Sequence, residues 1–268
     1  MEIRSLGLRT HVGLLQLGGS VVEDRDDHLV VRTPDNPTYW WGNFVVLGSV
    51  PEPSTTSRWL GRFAEAFPGA RHVALALDTA TGRVEQLAGF AAAGLTVETS
   101  TVMTARSVAP PPRPQRVATY RAFEGEDDWG QWVELRVACR DEQHSEADIR
   151  EYSLRQGGAY RRLAENGHGQ WFGAFEGGRL LSSMGLFRAS EGLARFQSVE
   201  THPEARRRGL AGTLVHHVSR FGFGELEAHT LVMVADPTHP AIRLYRSLGF
   251  ADGESVLQAE RAPAAAVE

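Results

Sequence analysis

The chain contains no lysine; all 28 of its basic residues are arginine. A GC-rich coding bias accounts for that, and it leaves the folded protein without a side-chain amine. Cysteine is nearly as scarce. Cys139 stands alone, which excludes an intramolecular disulfide and any metal site built from several thiolates. No run of 18 or more apolar residues occurs, so no helical membrane span is expected. Nor is there a basic excess: 28 arginines face 33 acidic residues for a net charge of −5, which argues against nucleic acid as the main partner. Arginines interrupt the apolar stretch of "MEIRSLGLRTHVGLLQLGGS" and no cleavage site follows, so it reads as no signal peptide, and the expected compartment is the cytoplasm. His216 and His217 are adjacent and do not share a helix face, unlike the i,i+4 pairs that bind metal, so no metal site is expected.

What is present is an ordinary globular balance, 268 residues with 42% hydrophobic and 23% charged. That length suits one large domain or two of about 130 residues. The stretch "SVAPPPRPQR" at 107–116 favours extended polyproline structure and cannot lie inside a helix. It divides the chain into a first domain at 1–108, a linker at 109–115 and a second domain at 116–268.

The second half reads as an ordered series. "VATYRAFE" alternates as a strand does, and two helical stretches follow at 127–139 and 146–167. Residues 170–202 carry three strands with turns at "EGG" and "ASEG". A helix with Leu210, Leu214, Val218 and Phe221 on one stripe comes next. "HTLVMVAD" is a strand buried on both faces, "PAIRLYRSLGF" a short helix, and "ESVLQAER" a last strand. The order β-α-α-β-β-β-α-β-α-β predicts a mixed α/β domain. The first half echoes that ending. "RHVALALD" (71–78) resembles "HTLVMVAD"; aligning Gly94 with Gly249 sets Phe90 against Tyr245, and aligning "PE" at 51–52 with "PE" at 203–204 sets Ser57 against Gly209 and Trp59 against Ala211.

One stretch contradicts helix chemistry. "ETHPEARRRGLAGTLVHH" places Arg206, Arg207, Arg208, Gly209 and Gly212 at the start of a helix. Cations there oppose the macrodipole, and glycine inside a helix costs about 1 kcal/mol against alanine. A bound anion offsets both. Free N–H groups of a first helical turn receive it, glycine and alanine let it approach the backbone, and arginine grips phosphate with a planar fork. The strand-loop-helix context, more than the short pattern, makes Arg206 to Gly212 a pyrophosphate loop.

Taken together, "FQSVETHPEARRRGLAG" (196–212) and "LVMVADPTHPAIRLYRSLGF" (231–250) resemble the Gcn5-related N-acetyltransferase superfamily, and the likeness covers nearly all of 117–262. It implies a mixed, mostly antiparallel central sheet flanked by helices, here in two tandem copies. It further implies acetyl-CoA as acyl donor and the amine of a small molecule or peptide as acceptor. Val199 and Thr201 would hold the acyl arm by their backbone. Arg206, Arg207, Arg208, Gly209, Leu210, Ala211 and Gly212 would hold the pyrophosphate, and Tyr245 would face the sulfur. The first half resembles a degenerate copy, with serine at the loop glycine, a tryptophan blocking the cradle and phenylalanine for the tyrosine. It is expected to bind no coenzyme A.

An amine must lose a proton before attacking a thioester, which calls for a base, while a tyrosine hydroxyl near 10 can donate to the leaving thiolate. Tyr245 fits the donor. The base is less evident, because the strand offers Arg195 and Gln197 and the next strand Met233. Glu200 is the nearest carboxylate. Alternation turns it away from Val199 and Thr201 and toward solvent unless a β-bulge re-aims it. Asp236 is a further candidate, and the acids of "CRDEQHSEAD" (139–148) would attract a cationic amine. Without a base, the alternative is a non-catalytic acyl-CoA-binding or regulatory protein.

Overall fold

The computed structural model describes residues 1–140 and 145–262. The described residues fold as two units, one of residues 1–102, 234–237 and 253–262, the other within residues 103–233 and 238–252.

The first unit opens with α1 (Leu6–Leu17), followed by β1 (Val21–Asp24), β2 (His28–Arg32), β3 (Phe44–Leu47), α2 (Thr56–Ala66), β4 (Val73–Leu77), α3 (Ala88–Ala92) and β5 (Thr96–Ala105). Ser5 caps α1, its side chain accepting from the Leu8 N–H. β1–β2 and β2–β3 are antiparallel and β3–β4 parallel. The last strand of the chain, β11 (Ala251–Arg261), pairs antiparallel with β4, from Leu257 on Leu77 to Arg261 on Val73. Leu257 and Ala259 thereby enter the core of Trp59, Phe63, Leu75, Leu77 and Phe90. Glu254 accepts from the Leu6 and Gly7 N–H groups at the start of α1, and Glu260 from the Trp41 indole. This differs from the sequence-based division, which grouped all of 116–268. Residues 253–262 belong with the first unit, because strand pairing is non-local and an apolar run does not name its neighbour.

The second unit carries β6 (Thr119–Ala122), α4 (Glu126–Cys139), α5 (Glu146–Glu165), β7 (Gly169–Glu176), β8 (Arg179–Ser190), β9 (Leu193–Thr201), α6 (Leu210–Gly224), β10 (Thr230–Ala235) and α7 (Ala241–Ser247). Acidic residues open α4 and α5, where the helix dipole favours them. β6 to β9 form antiparallel neighbours, and α6 carries the chain back so that β10 lies parallel to β9. Trp171 and Phe187 turn toward α4 and α5, meeting Trp132 and Tyr160, whereas Phe172 meets Phe221 of α6. Period-two alternation thus separates a face under α4 and α5 from a face under α6.

Both halves share the order β-β-β-α-β-α-β, from β1 to β5 and from β7 to β11. The expected mixed, mostly antiparallel fold and its faint internal echo are present. The proline-rich segment is not a free spacer. The Ala109 N–H donates to Leu248 O, the Gln115 N–H donates to Thr213 Oγ1, and the Gln115 side chain accepts from the Val117 and Ala118 N–H groups. A stretch without regular pairing is held here by bonds to α6 and to the turn after α7.

Candidate functional site

Two parallel strands that part make the first element of the site. β9 and β10 pair at Leu193–Thr230, Ala194–Leu231 and Arg195–Val232, and the pairing stops there although β9 continues to Thr201. The first unit offers a contrast. There β3 and β4 pair from Val45–Leu75 to Leu47–Leu77, and the Asp78 N–H donates to Leu47 O one step further. An extended ligand arm can bond to β9 beyond Arg195, but not to a β3 whose edge is already used.

The loop after β9 makes the second. Arg207 has φ 62° and Gly209 φ 84°, both left-handed, and α6 begins at Leu210. The Thr213 N–H donates to Gly209 O, yet the six N–H groups from Arg207 to Gly212 donate to no acceptor among the described residues. Successive free N–H groups at a helix start form an anion-binding concavity. Gly209 is required twice over: only glycine adopts its φ freely, and a Cβ there would lie 2.8 Å from Arg113 O. The arginines are not equivalent. Arg206 Nε donates to Thr201 O, Arg208 Nη2 donates to both Glu176 oxygens at 2.6 Å, and Arg207 makes no hydrogen bond to a described residue. All three side chains are exposed. Chemistry and shape fit a pyrophosphate.

The third element is a β-bulge. Gly185 faces Gln197 and Ser183 faces Glu200, so Met184 stands opposite both Ser198 and Val199. Ser198 has φ 41°, an unusual left-handed value for a residue other than glycine. The extra residue turns Glu200 onto the face under α4 and α5, beside Ser183, while Thr201 bonds to Ser182 on the opposite face. The solvated Glu200 expected from simple alternation is therefore corrected. Its side chain is 18% exposed, and Oε1 accepts a hydrogen bond from Arg136 Nη1 of α4. Burial raises its pKa above the usual carboxylate range, and the charge of Arg136 offsets part of that rise.

Around this pair lie polar atoms without partners. Arg136 Nε, Glu200 Oε2, Ser183 Oγ, Ser153 Oγ and the Trp132 and Trp171 indole nitrogens are buried with no hydrogen bond among the described residues. Each such atom costs about 1–3 kcal/mol, so their concentration beneath α4 and α5 marks a place built for more than packing.

Tyr245 sits on α7 with its ring buried against Phe250, and it makes no hydrogen bond to a described residue. Burial pushes its hydroxyl up to about 12, so it stays protonated at neutral pH. In the first half, Ser57 is exposed and Phe90 fully buried. Trp59 does not block a cradle, contrary to expectation. It turns inward, edge-on to His28 with ring centres 5.5 Å apart, and joins the core. In that half it is the continued β3–β4 pairing that leaves no slot. Residues 141–144 of "CRDEQHSEAD" lie outside the described residues, and no group of metal-binding side chains occurs among the described ones. Sequence reasoning missed Arg136. Its signal is the spacing Asp128–Trp132–Arg136, two charges four residues either side of a buried tryptophan on one helix face.

A run of free N–H groups, a strand parted from its parallel neighbour and a buried carboxylate on a bulge are the three features of this candidate site. Residues 129–250 match the model of the acetyltransferase (GNAT) family. Solved structures agree in fold. A GCN5-related N-acetyltransferase from Kribbella flavida matches with TM-score 0.65 at 13% identity over 97% of this chain and 98% of its own. A functionally unknown conserved protein from Staphylococcus epidermidis matches with TM-score 0.76 at 9% identity, covering 92% and 95%. A tandem GNAT protein from the clavulanic acid biosynthesis pathway matches with TM-score 0.53 at 16% identity, covering 94% and 88%. No curated protein matches the chain.

Proposed function

We propose that the protein is an acyl-CoA-dependent N-acyltransferase that moves acetyl from acetyl-CoA to an amine by direct attack in a ternary complex. The observation that carries this reading is the run of six unspent N–H groups, Arg207 to Gly212, at the end of a strand that has left its neighbour. Pyrophosphate would rest on those groups with Arg206 and Arg207. The acyl arm would pair with β9 through Val199 and Thr201, whose N–H groups suit an oxyanion.

Glu200 takes the proton from the acceptor ammonium. The freed amine attacks the thioester carbonyl carbon, the C–N bond forms and the C–S bond breaks, Tyr245 gives its proton to the departing thiolate, and the second proton shed by the nitrogen as it becomes the amide restores the tyrosine. A buried glutamate with a raised pKa suits the first task, and a protonated, unpartnered tyrosine the last. The mechanism needs no metal. Such an enzyme would work in the cytoplasm, where acyl-CoA is made.

A second reading, acyl-CoA binding without transfer, has one observation in its favour: Glu200 is already engaged by Arg136. Calorimetric titration with acetyl-CoA, followed by an amine panel monitored for thiol release, tests both. Binding with turnover supports the enzyme, binding without turnover supports the second reading, and no binding sinks both.

A further inference from the structure

Arg136 spends only part of its hydrogen-bonding capacity on Glu200. Nη1 makes that bond. Among the described residues neither Nε, which is buried, nor Nη2, which is not sealed from solvent, has a partner. Nε and Nη2 form one edge of the guanidinium, and two parallel N–H groups on one edge match a carboxylate. The rings of Trp132 and Tyr152 lie 6.0 and 5.7 Å from the guanidinium carbon and limit its movement.

Charge and valence point the same way. Arg136 and Glu200 present one cation and one anion side by side, which suits a ligand carrying both charges. The unpartnered atoms close to the pair are the Arg136 Nε–H donor, the Ser183 hydroxyl on the neighbouring strand and one acceptor, Glu200 Oε2. A ligand completing this set brings acceptors for Arg136 and a donor for Glu200. Because Arg136 and Glu200 touch, its two groups stand on the same or adjacent carbons, which a peptide with distant termini does not offer.

We infer that the amine acceptor is a small amino carboxylate, its amine facing Glu200 and its carboxylate taken side-on by Arg136 Nε and Nη2. The inference rests on the acyltransferase reading and narrows it. Arg136 is then a specificity-determining residue.

The test is a comparison of kcat/KM for the proteinogenic amino acids and for their carboxamides, with acetyl-CoA as donor. A site built to pair a charged group rejects the analogue without it, so the best amino acid should exceed its carboxamide by about 100-fold or more. In Arg136→Gln that ratio should collapse to within about threefold of one, and in Arg136→Lys, which keeps the charge and loses the fork, it should fall between. A merely structural or base-holding Arg136 would lower both substrates equally and leave the ratio unchanged, which overturns the inference. Equal use of acid and carboxamide by the unmodified protein overturns it as well. So does turnover of other amines with no amino acid accepted. If acetyl-CoA does not bind, the acyltransferase reading fails by itself. Calorimetry with the same amino acids then decides: binding lost in Arg136→Gln supports the carboxylate site, and no binding refutes it.

Discussion

Glu200 shows how much one residue's environment depends on its neighbours. Burial lifts its pKa and Arg136 restrains the lift, so the group titrates above the ordinary 4.5. A base works only when deprotonated. Hence kcat/KM should rise with pH through a value above 4.5, and Glu200→Gln should remove that limb while lowering kcat by about 10²–10⁴-fold. Tyr245→Phe isolates the other end of the reaction. It removes only the hydroxyl, which bonds to no described residue, so the fold keeps its packing. Turnover should fall by at least about tenfold with the acetyl-CoA Kd unchanged; a fall in affinity alone would make Tyr245 a packing residue. The buried place of Glu200 could not be read from simple alternation, whereas Tyr245 and the Arg–Gly loop were legible as candidates because short motifs carry them. Arg136 was not, since it acts on a residue 64 positions away whose orientation depends on a bulge.

At the level of elements, the two halves run through the same order of strands and helices and differ in one junction. β9 parts from β10, whereas β3 stays paired with β4 to its end. The expected stoichiometry is one acetyl-CoA per chain by calorimetry, and two sites would contradict the closed first junction. Gly209→Ala probes the loop. A left-handed alanine costs about 1–2 kcal/mol, and its Cβ would press on Arg113 O. The variant should lose acetyl-CoA affinity by at least about tenfold and melt lower; unchanged binding would remove the loop from the site. The proline run announced a break in regular structure, but not that its Gln115 bonds to Thr213 of α6. Composition specifies the conformation of such a segment and says nothing of where it docks.

At the level of the whole molecule, β11 has an outcome of its own. It brings Leu257 and Ala259 into the first unit's core and Glu254 to the start of α1. Ending the chain after Phe250 should therefore destabilise the first unit, read as loss of amide protection in β4 and α1 by hydrogen exchange. Stability should also depend on pH through His72. Burial lowers its pKa below the ordinary 6.5 while its Nε2 bonds to Asn43 O. Below 6.5 the unfolded chain takes up a proton that the folded chain refuses, so stability falls with pH until the lowered folded value is reached. Among the described residues His216 and His217 are lowered too and add to the same slope. His72→Gln should flatten the Tm-against-pH curve just below pH 6.5; an unaltered slope would place its origin elsewhere.

The sequence by itself determined the order of strands and helices in the second half and the glycine turn at which α6 begins; among the described residues no helix is long and apolar enough to cross a membrane. Those properties are local, set by alternation, capping and glycine. Tertiary structure alone decided that a bulge at Ser198 turns Glu200 under α4, that Arg136 meets it there, and that β11 completes the first unit's sheet. Each of those joins residues distant along the chain. Register and pairing follow from the free energy of the packed whole, which no single window of sequence contains.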